Sequence, residues 1–362
     1  MTGLRWLVLA EERFGPMSSK TANGCIRYTP EQVVAVVDST RAGKTSQEVL
    51  GFGGNIPVVA TFEEGMLHKP NALLIGIAPT GGALPKHWRG WVKSALELGL
   101  PVWSGLHTFI GDDPEFAALS AKHNTAIHDL RKPPADLPVA SGRVVREVDA
   151  TVVLTVGSDC NIGKMTSSLQ LRDGLRRRGR KVTFAGTGQT GILIEGWGIA
   201  VDAVIADFIA GAAERLTLDA AKDPGTELVM VEGQGSIIHP GYSGVTYGLI
   251  HGTMPHAFVF CHMPSRPHID KNPWIPIPPV KDLIKAHEDV VRFMRPAPVI
   301  AVALNTFDLS EADARAAIDR IEQETGLPAT DPVRYDAAPI VDAVERFHVA
   351  RTRTHVPQPI GA

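Results

Sequence analysis

The stretch GSDCNIGKMT follows the apolar run TVVLTV and leads into residues with a helical pattern. A glycine-rich turn between a strand and a helix aims successive main-chain N–H groups at an anion, and a lysine there adds a point charge. Gly157, Ser158, Asp159, Cys160, Asn161, Ile162, Gly163, Lys164, Met165 and Thr166 are therefore read as a phosphate-binding loop. Its spacing departs from the usual GxxxxGK, because one extra residue stands between Gly157 and Gly163. In nucleotide hydrolases the residue after the lysine gives a hydroxyl to Mg²⁺, whereas this chain has Met165, and a thioether is a poor ligand for a hard cation. Thr166 and Ser167 are rotated by about 100° or more around the helix from that place. The expectation is phosphate binding with no metal seat. Cys160 sits where a helix N-terminus lowers a thiol pKa, although loops of this kind act chiefly through their backbone.

A second constellation is ELVMVEGQGS, where Glu232 ends an apolar strand and G-x-G follows. A buried carboxylate beside the loop can face a metal or serve as a general base. AGTGQTG, from Ala185, and HPGYSGVT, from His239, are dense in glycine, hydroxyls and amides, as in loops that hydrogen-bond a polar ligand. His239, His251, His256, His262 and His268 cluster without the i, i+4 spacing and intervening Glu of a helical zinc site, so no metal centre is expected. His262 and Arg266 follow the strand AFVFC and are candidates for anchoring a substrate carboxylate.

These residues need strand ends to carry them. In the first half WLVLA, VVAVVDS, IPVVAT, ALLIGIAP and PVWSGL read as buried strands, and PKHWRGWVKSALELG and DPEFAALSAKHN as helices. That alternation implies a parallel sheet, with ligand loops at DSTRAGK, GIAPTGG and SGLHTF. No GxGxxG follows the first strand, which gives a dinucleotide site little support in this half. The proline-rich stretch Arg131 to Gly142 marks the boundary: residues 1–135 form one domain, 136–142 a linker and 143–362 the second domain. The α/β rhythm then resumes with TVVLTV, KVTFAG, ELVMVEG, AFVFC and VIAVALN. VDAVIADFIAGAAE places Val201, Val204, Ile205, Phe208, Ile209 and Ala212 on one helical face, with Asp202 and Asp207 solvated or capping. IDKNPWIPIPPVKDL is a loop or an extended arm.

The chain of 362 residues, 44% apolar, can bury two cores. A net charge of −3 offers no basic field to nucleic acid or an anionic membrane, which leaves small-molecule partners. Three widely spaced cysteines form neither a disulfide framework nor a zinc pattern, and no apolar run reaches membrane-spanning length, so a cytoplasmic setting is expected.

The loop resembles that of dethiobiotin synthetase, and VEGQGS resembles the acid-bearing stretch of the same enzyme. More broadly, KTANG, DSTRAGK, GIAPTGG, SGLHTF, GSDCNIGKMT, TGQTGILIEG, VEGQGS, HPGYSGVT and CHMPSRP, in that order, resemble a bacterial two-domain family. The resemblance implies an α/β protein with mainly parallel sheets, a Rossmann-like N-terminal domain and a P-loop NTPase-like C-terminal domain. One branch of the family is D-glutamate N-acetyltransferase, which uses acetyl-CoA beside an N-acetyl-amino-acid racemase. Carried onto this chain, that branch implies that Gly157 to Thr166 hold the cofactor phosphates with Lys164 as charge partner. Glu232 or His239 would be the base, while Gln189, Thr190, Tyr242, Ser243, His262 and Arg266 would hold the amino acid. Two other readings stay open: an ATP- and Mg²⁺-dependent kinase or carboxylate-activating ligase, and a non-catalytic sensor of CoA or nucleotide. A homo-oligomer is expected.

Overall fold

The computed structural model describes residues 3–77, 79 and 82–354. Ala78, Thr80 and Gly81, three residues of the expected ligand loop GIAPTGG, lie outside them. The chain divides into two compact units, Met1–Pro134 with Gly188–Ala203, and Ala135–Thr187 with Val204–Ala362.

The first unit is built on six strands: β1 (Trp6–Leu9), β2 (Val33–Val37), β3 (Val58–Val59), β4 (Ala72–Ile75), β5 (Val102–Ser104) and β6 (Ile127–Asp129). All pairings are parallel, in the order β3-β2-β1-β4-β5-β6 of a dinucleotide-binding fold. WLVL and ALLI are buried throughout, as central strands covered on both faces require. The sequence patterns pass over β6, a three-residue edge strand with an exposed histidine at its centre. At the end of β2, where such folds place an acid for a ribose, Asp38 is fully buried. Its carboxylate accepts the Phe14 N–H at 2.8 Å and the Thr40 N–H at 2.9 Å, so its own chain occupies it.

Segment Gly188–Ala203 belongs to this unit, although the sequence boundaries put it in the second domain. Its helix Gln189–Glu195 packs on the helix Lys20–Tyr28, and Leu193 joins the first core. Buried Arg131 ties the segment down, donating to Gln189 Oε1 and Gly105 O, both at 2.8 Å, and pairing with Asp202. Asp202 is therefore an ion-pair partner and not a free surface acid.

The second unit has strands β7 (Thr151–Gly157), β8 (Val182–Ala185), β9 (Leu228–Val231), β10 (Ala257–His262), β13 (Val299–Leu304) and β14 (Ala329–Thr330). They are parallel, in the order β14-β13-β10-β7-β9-β8. Between β10 and β13 the proline-rich stretch makes a small antiparallel hairpin, β11 (His268–Ile269) and β12 (Asn272–Pro276), before the helix Val280–Val291.

Two expectations are revised here. The single helix from Val201 is instead two short 3-10 turns, Val201–Ala203 and Ala206–Phe208, followed by the helix Ile209–Ala220. The chain passes from one unit to the other after Ala203, and Ile205 is left 73% exposed, so the apolar stripe overstates the helix. The stretch 136–142, read as a linker, packs on that helix: the buried Glu214 carboxylate accepts the N–H groups of Ser141 (3.1 Å) and Arg143 (2.8 Å). Gly211 permits the approach, since a Cβ there would lie 1.6 Å from the Pro138 carbonyl oxygen. Among the described residues no helix is long and apolar enough to cross a membrane.

Candidate active site around the phosphate loop

The central strand β7 delivers the loop, and its neighbours deliver the groups around it. Gly157 is needed because a Cβ there would stand 2.6 Å from the carbonyl oxygen of Cys261 on β10. Ser158 N–H donates to that same oxygen at 3.1 Å. Beyond it, Asn161 (φ 53°) and Gly163 (φ 104°) are left-handed, and the alternation of hand turns successive N–H groups toward one point. Asparagine and glycine are the residues that adopt this conformation at least cost. The helix Lys164–Arg177 starts immediately afterwards.

Asp159 holds the loop in shape. Its buried carboxylate accepts the Cys160 N–H at 2.7 Å, the Arg266 guanidinium at 2.9 Å and the Asp270 N–H at 2.8 Å. Arg266 also donates to the Cys160 carbonyl at 2.8 Å, and Lys164 Nζ donates to the Asp159 carbonyl at 2.6 Å. Ser158 Oγ lies 2.9 Å from His262 Nδ1, and Ser236 Oγ donates to the Ser158 carbonyl at 3.1 Å. Burial, with Arg320 adding to it, pushes the His262 imidazole down to about 4, so the ring is neutral at pH 7. Whatever His262 binds, it binds as a polar group and not as a cation.

Met165 is buried at the position of the metal-binding hydroxyl. The next hydroxyls along the helix point elsewhere. Ser167 hydrogen-bonds the Cys261 thiol, and Ser168 Oγ is 2.8 Å from Thr155 Oγ1. Thr166 is half-buried.

On the other side of β7, β9 ends at Glu232, which is 2% exposed. Its Oε2 accepts the Thr187 N–H at 3.0 Å, and Thr187 Oγ1 donates back to the Glu232 carbonyl at 2.8 Å. Gly233 makes this closeness possible: a Cβ there would lie 1.8 Å from the Thr155 carbonyl oxygen and 3.0 Å from Lys164 Cδ. His239 is also buried, with its ring 4.6 Å from that of the exposed Tyr242. Gly241 N–H donates to His239 Nδ1 at 3.1 Å, so the ring proton sits on Nε2 and the imidazole is a donor on that side. A thiol, a carboxylate oxygen and a ring nitrogen from Cys160, Asp159 and His239 lie within 4.8 Å of one another. They would make a cation site only if the Asp159–Arg266 pair opened and His239 exchanged its tautomer.

The structure thus groups the loop, Glu232, His239, Tyr242, His262 and Arg266 at one end of the second sheet, with Ser243 opening the helix Ser243–Thr253 beside them. Gln189 and Thr190 belong to the first unit, where both are buried; Gln189 accepts from Arg131, and Thr190 Oγ1 is 3.3 Å from Thr21 Oγ1. Thr187, Ser236 and Asp270 were missed. Thr187 stands in the flagged stretch AGTGQTG, whereas Asp270 contributes a main-chain N–H, for which a sequence carries no signal.

Two family descriptions match the chain: "Domain of unknown function (DUF1611_N) Rossmann-like domain" over residues 39–133, and "Domain of unknown function (DUF1611_C) P-loop domain" over residues 138–341. A protein from Tritonibacter scottomollicae named D-glutamate N-acetyltransferase is 36% identical over 91% of this chain and 94% of its own length. One of the same name from a Pseudoalteromonas species is 38% identical over 72% of this chain and 77% of its own. The crystal structure of a DUF1611 family protein from Anabaena variabilis matches with a TM-score of 0.90 at 39% identity, covering 95% of this chain and 100% of that one. With its Rossmann-like and P-loop halves in that order, the chain belongs to the DUF1611 family.

Proposed function

We propose that this chain is an N-acetyltransferase that moves the acetyl group of acetyl-CoA to the amino group of a small acidic amino acid, D-glutamate foremost. The observation that carries the reading is an anion-gripping loop with Lys164 at its end and a buried Met165 where a nucleotide hydrolase needs a hydroxyl. The two curated relatives, both named for that activity, support it. The residues present fit the cofactor's phosphates: converging N–H groups at Asn161 and Gly163, the ammonium of Lys164 and the N-terminus of a 14-residue helix. When bound, acetyl-CoA supplies an activated thioester.

The chain must then bring an amine to that thioester and remove its proton. Glu232, a carboxylate buried beside the loop, is the proton acceptor in this scheme. His239 is assigned the donor role, because its Nε2–H suits charge developing on a carbonyl oxygen. Tyr242, Ser243 and Arg266 hold the amino acid, while Gln189 and Thr190 serve the packing of the first unit. Holding both reactants at once gains rate through proximity without a covalent enzyme intermediate.

A thiol-release assay with acetyl-CoA against D- and L-glutamate tests the proposal. D-glutamate is expected to release CoA thiol. ADP formed from ATP and Mg²⁺ in the presence of an amino acid, with no thiol released from acetyl-CoA, would overturn the proposal in favour of an ATP-dependent ligase or kinase.

A further inference from the structure

The three cysteines stand in different surroundings. Cys25 and Cys261 are fully buried, and burial pushes their thiols up to about 12 and about 11, which leaves them inert near neutral pH. Cys160 is half-buried inside the phosphate loop, four residues before the helix Lys164–Arg177. A helix N-terminus carries partial positive charge and favours a thiolate over a thiol.

The groups facing this sulfur come from four elements. From the loop and its helix, Asp159 and Lys164 meet through the 2.6 Å bond between the ammonium and the Asp159 carbonyl. Following β10, Arg266 binds the Cys160 carbonyl and neutralises the Asp159 carboxylate. After β9, His239 brings a ring nitrogen to within 4.8 Å of the thiol and of a carboxylate oxygen of Asp159. That ring is 7% exposed, its Nδ1 is held by Gly241 N–H, and among the described residues no group bonds its protonated Nε2. The tally around the sulfur is two cations, an unpartnered N–H donor and a helix terminus against one carboxylate that is already paired.

We propose that Cys160 is an oxidation site for hydroperoxides, and that its oxidation closes the phosphate loop to anionic ligands. The thiolate sulfur forms a bond to the terminal peroxide oxygen as the O–O bond breaks. Hydroxide or alkoxide leaves and takes a proton from solvent. Sulfur loses two electrons to become a sulfenic acid, and the peroxide is reduced to water or an alcohol. The new oxygen stands among the loop N–H groups that would otherwise meet a phosphate. Only this last consequence rests on the proposed function, since the selective reactivity does not require any particular ligand.

The test uses the whole protein. Limiting hydrogen peroxide with dimedone, followed by peptide mapping, is expected to label Cys160 ahead of Cys25 and Cys261. The rate of iodoacetamide alkylation at Cys160 should show its inflection about one pH unit or more below the free-cysteine value of about 8.5. His239→Gln should move that inflection upward. An inflection at or above the free-cysteine value, or dimedone found first on another thiol, would overturn the assignment. CoA binding by calorimetry before and after labelling decides the second half: about a tenfold weakening is expected, and unchanged affinity removes the closure. If the untreated protein does not bind CoA while Cys160 still labels first, the acetyltransferase reading fails and the oxidation site stands; inorganic diphosphate then replaces CoA as the loop probe.

Discussion

The guanidinium of Arg266 lies 2.9 Å from the fully buried carboxylate of Asp159, and the same nitrogen donates to the Cys160 carbonyl at 2.8 Å. A carboxylate in that position can remain charged only with such a partner. Arg266→Ala leaves it buried and unpaired, and is expected to cost about 3–5 kcal/mol. Arg266→Lys keeps the charge but loses the fork that serves both acceptors, so it should fall between the two. Urea unfolding of the three proteins checks this ordering; an Arg266→Ala midpoint equal to wild type would refute it.

Gly233 tolerates no side chain. With a Cβ placed 1.8 Å from the Thr155 carbonyl oxygen, Gly233→Ala must push β9 away from β7. Overpacking of this kind costs up to ~3 kcal/mol, and because it displaces Glu232 it should lower kcat as well. Thermal unfolding and thiol release on the same preparation measure both effects.

Glu232→Gln keeps the shape and removes the basicity. If Glu232 takes the amine proton, kcat should fall about 10²- to 10⁴-fold while KM for acetyl-CoA changes little. Activity near wild type would take Glu232 out of the mechanism and leave the amine to lose its proton to water.

Lys164→Ala tests the charge partner. Losing one charge-assisted hydrogen bond to a phosphate should raise the Kd for CoA by about 10- to 100-fold. Added salt should then weaken binding less than in the wild type. An unchanged Kd would mean that the loop does not hold the cofactor.

Acid should loosen the second unit before its carboxylates protonate. Burial pushes both His262 and His287 down to about 4, below the ordinary value of about 6.5 that an unfolded chain shows. Between those two values the unfolded chain takes up protons that the folded chain refuses, so falling pH favours unfolding. The stability is fully present above about pH 6.5 and is lost toward pH 4, by roughly 3 kcal/mol for each ring at most. Urea midpoints at pH 7.5, 6 and 5 should fall steadily, and His287→Leu should flatten that slope. Equal midpoints across the range would show that the rings titrate normally.

Much of this architecture was legible in the chain because parallel strands covered on both faces appear as unbroken apolar runs. TVVLTV, AFVFC and VIAVALN are of this kind, and the loop after TVVLTV declared itself by its glycines and Lys164. The partner of Asp159 could not be read, because Arg266 is 107 residues away and only the neighbouring of β7 and β10 joins them. Periodicity also says that a segment has an apolar face without saying which core receives it. That is why Leu193, inside the sequence of the second domain, turned out to belong to the first core. His239 could be flagged as polar and near, but its donor character depends on the Gly241 N–H and is visible only in three dimensions.

The loan of Gly188–Ala203 to the first unit has a bearing on how the chain is made. A ribosome that has emitted residues 1–134 has not yet produced the helix carrying Leu193 or the Asp202 that pairs with Arg131. The N-terminal half therefore waits, with a hydrophobic seat open, until residue 203 has emerged and part of the second sheet has been synthesised. Expressed alone, a fragment ending at Pro134 should be poorly soluble, and supplying the missing helix as a separate peptide should rescue it.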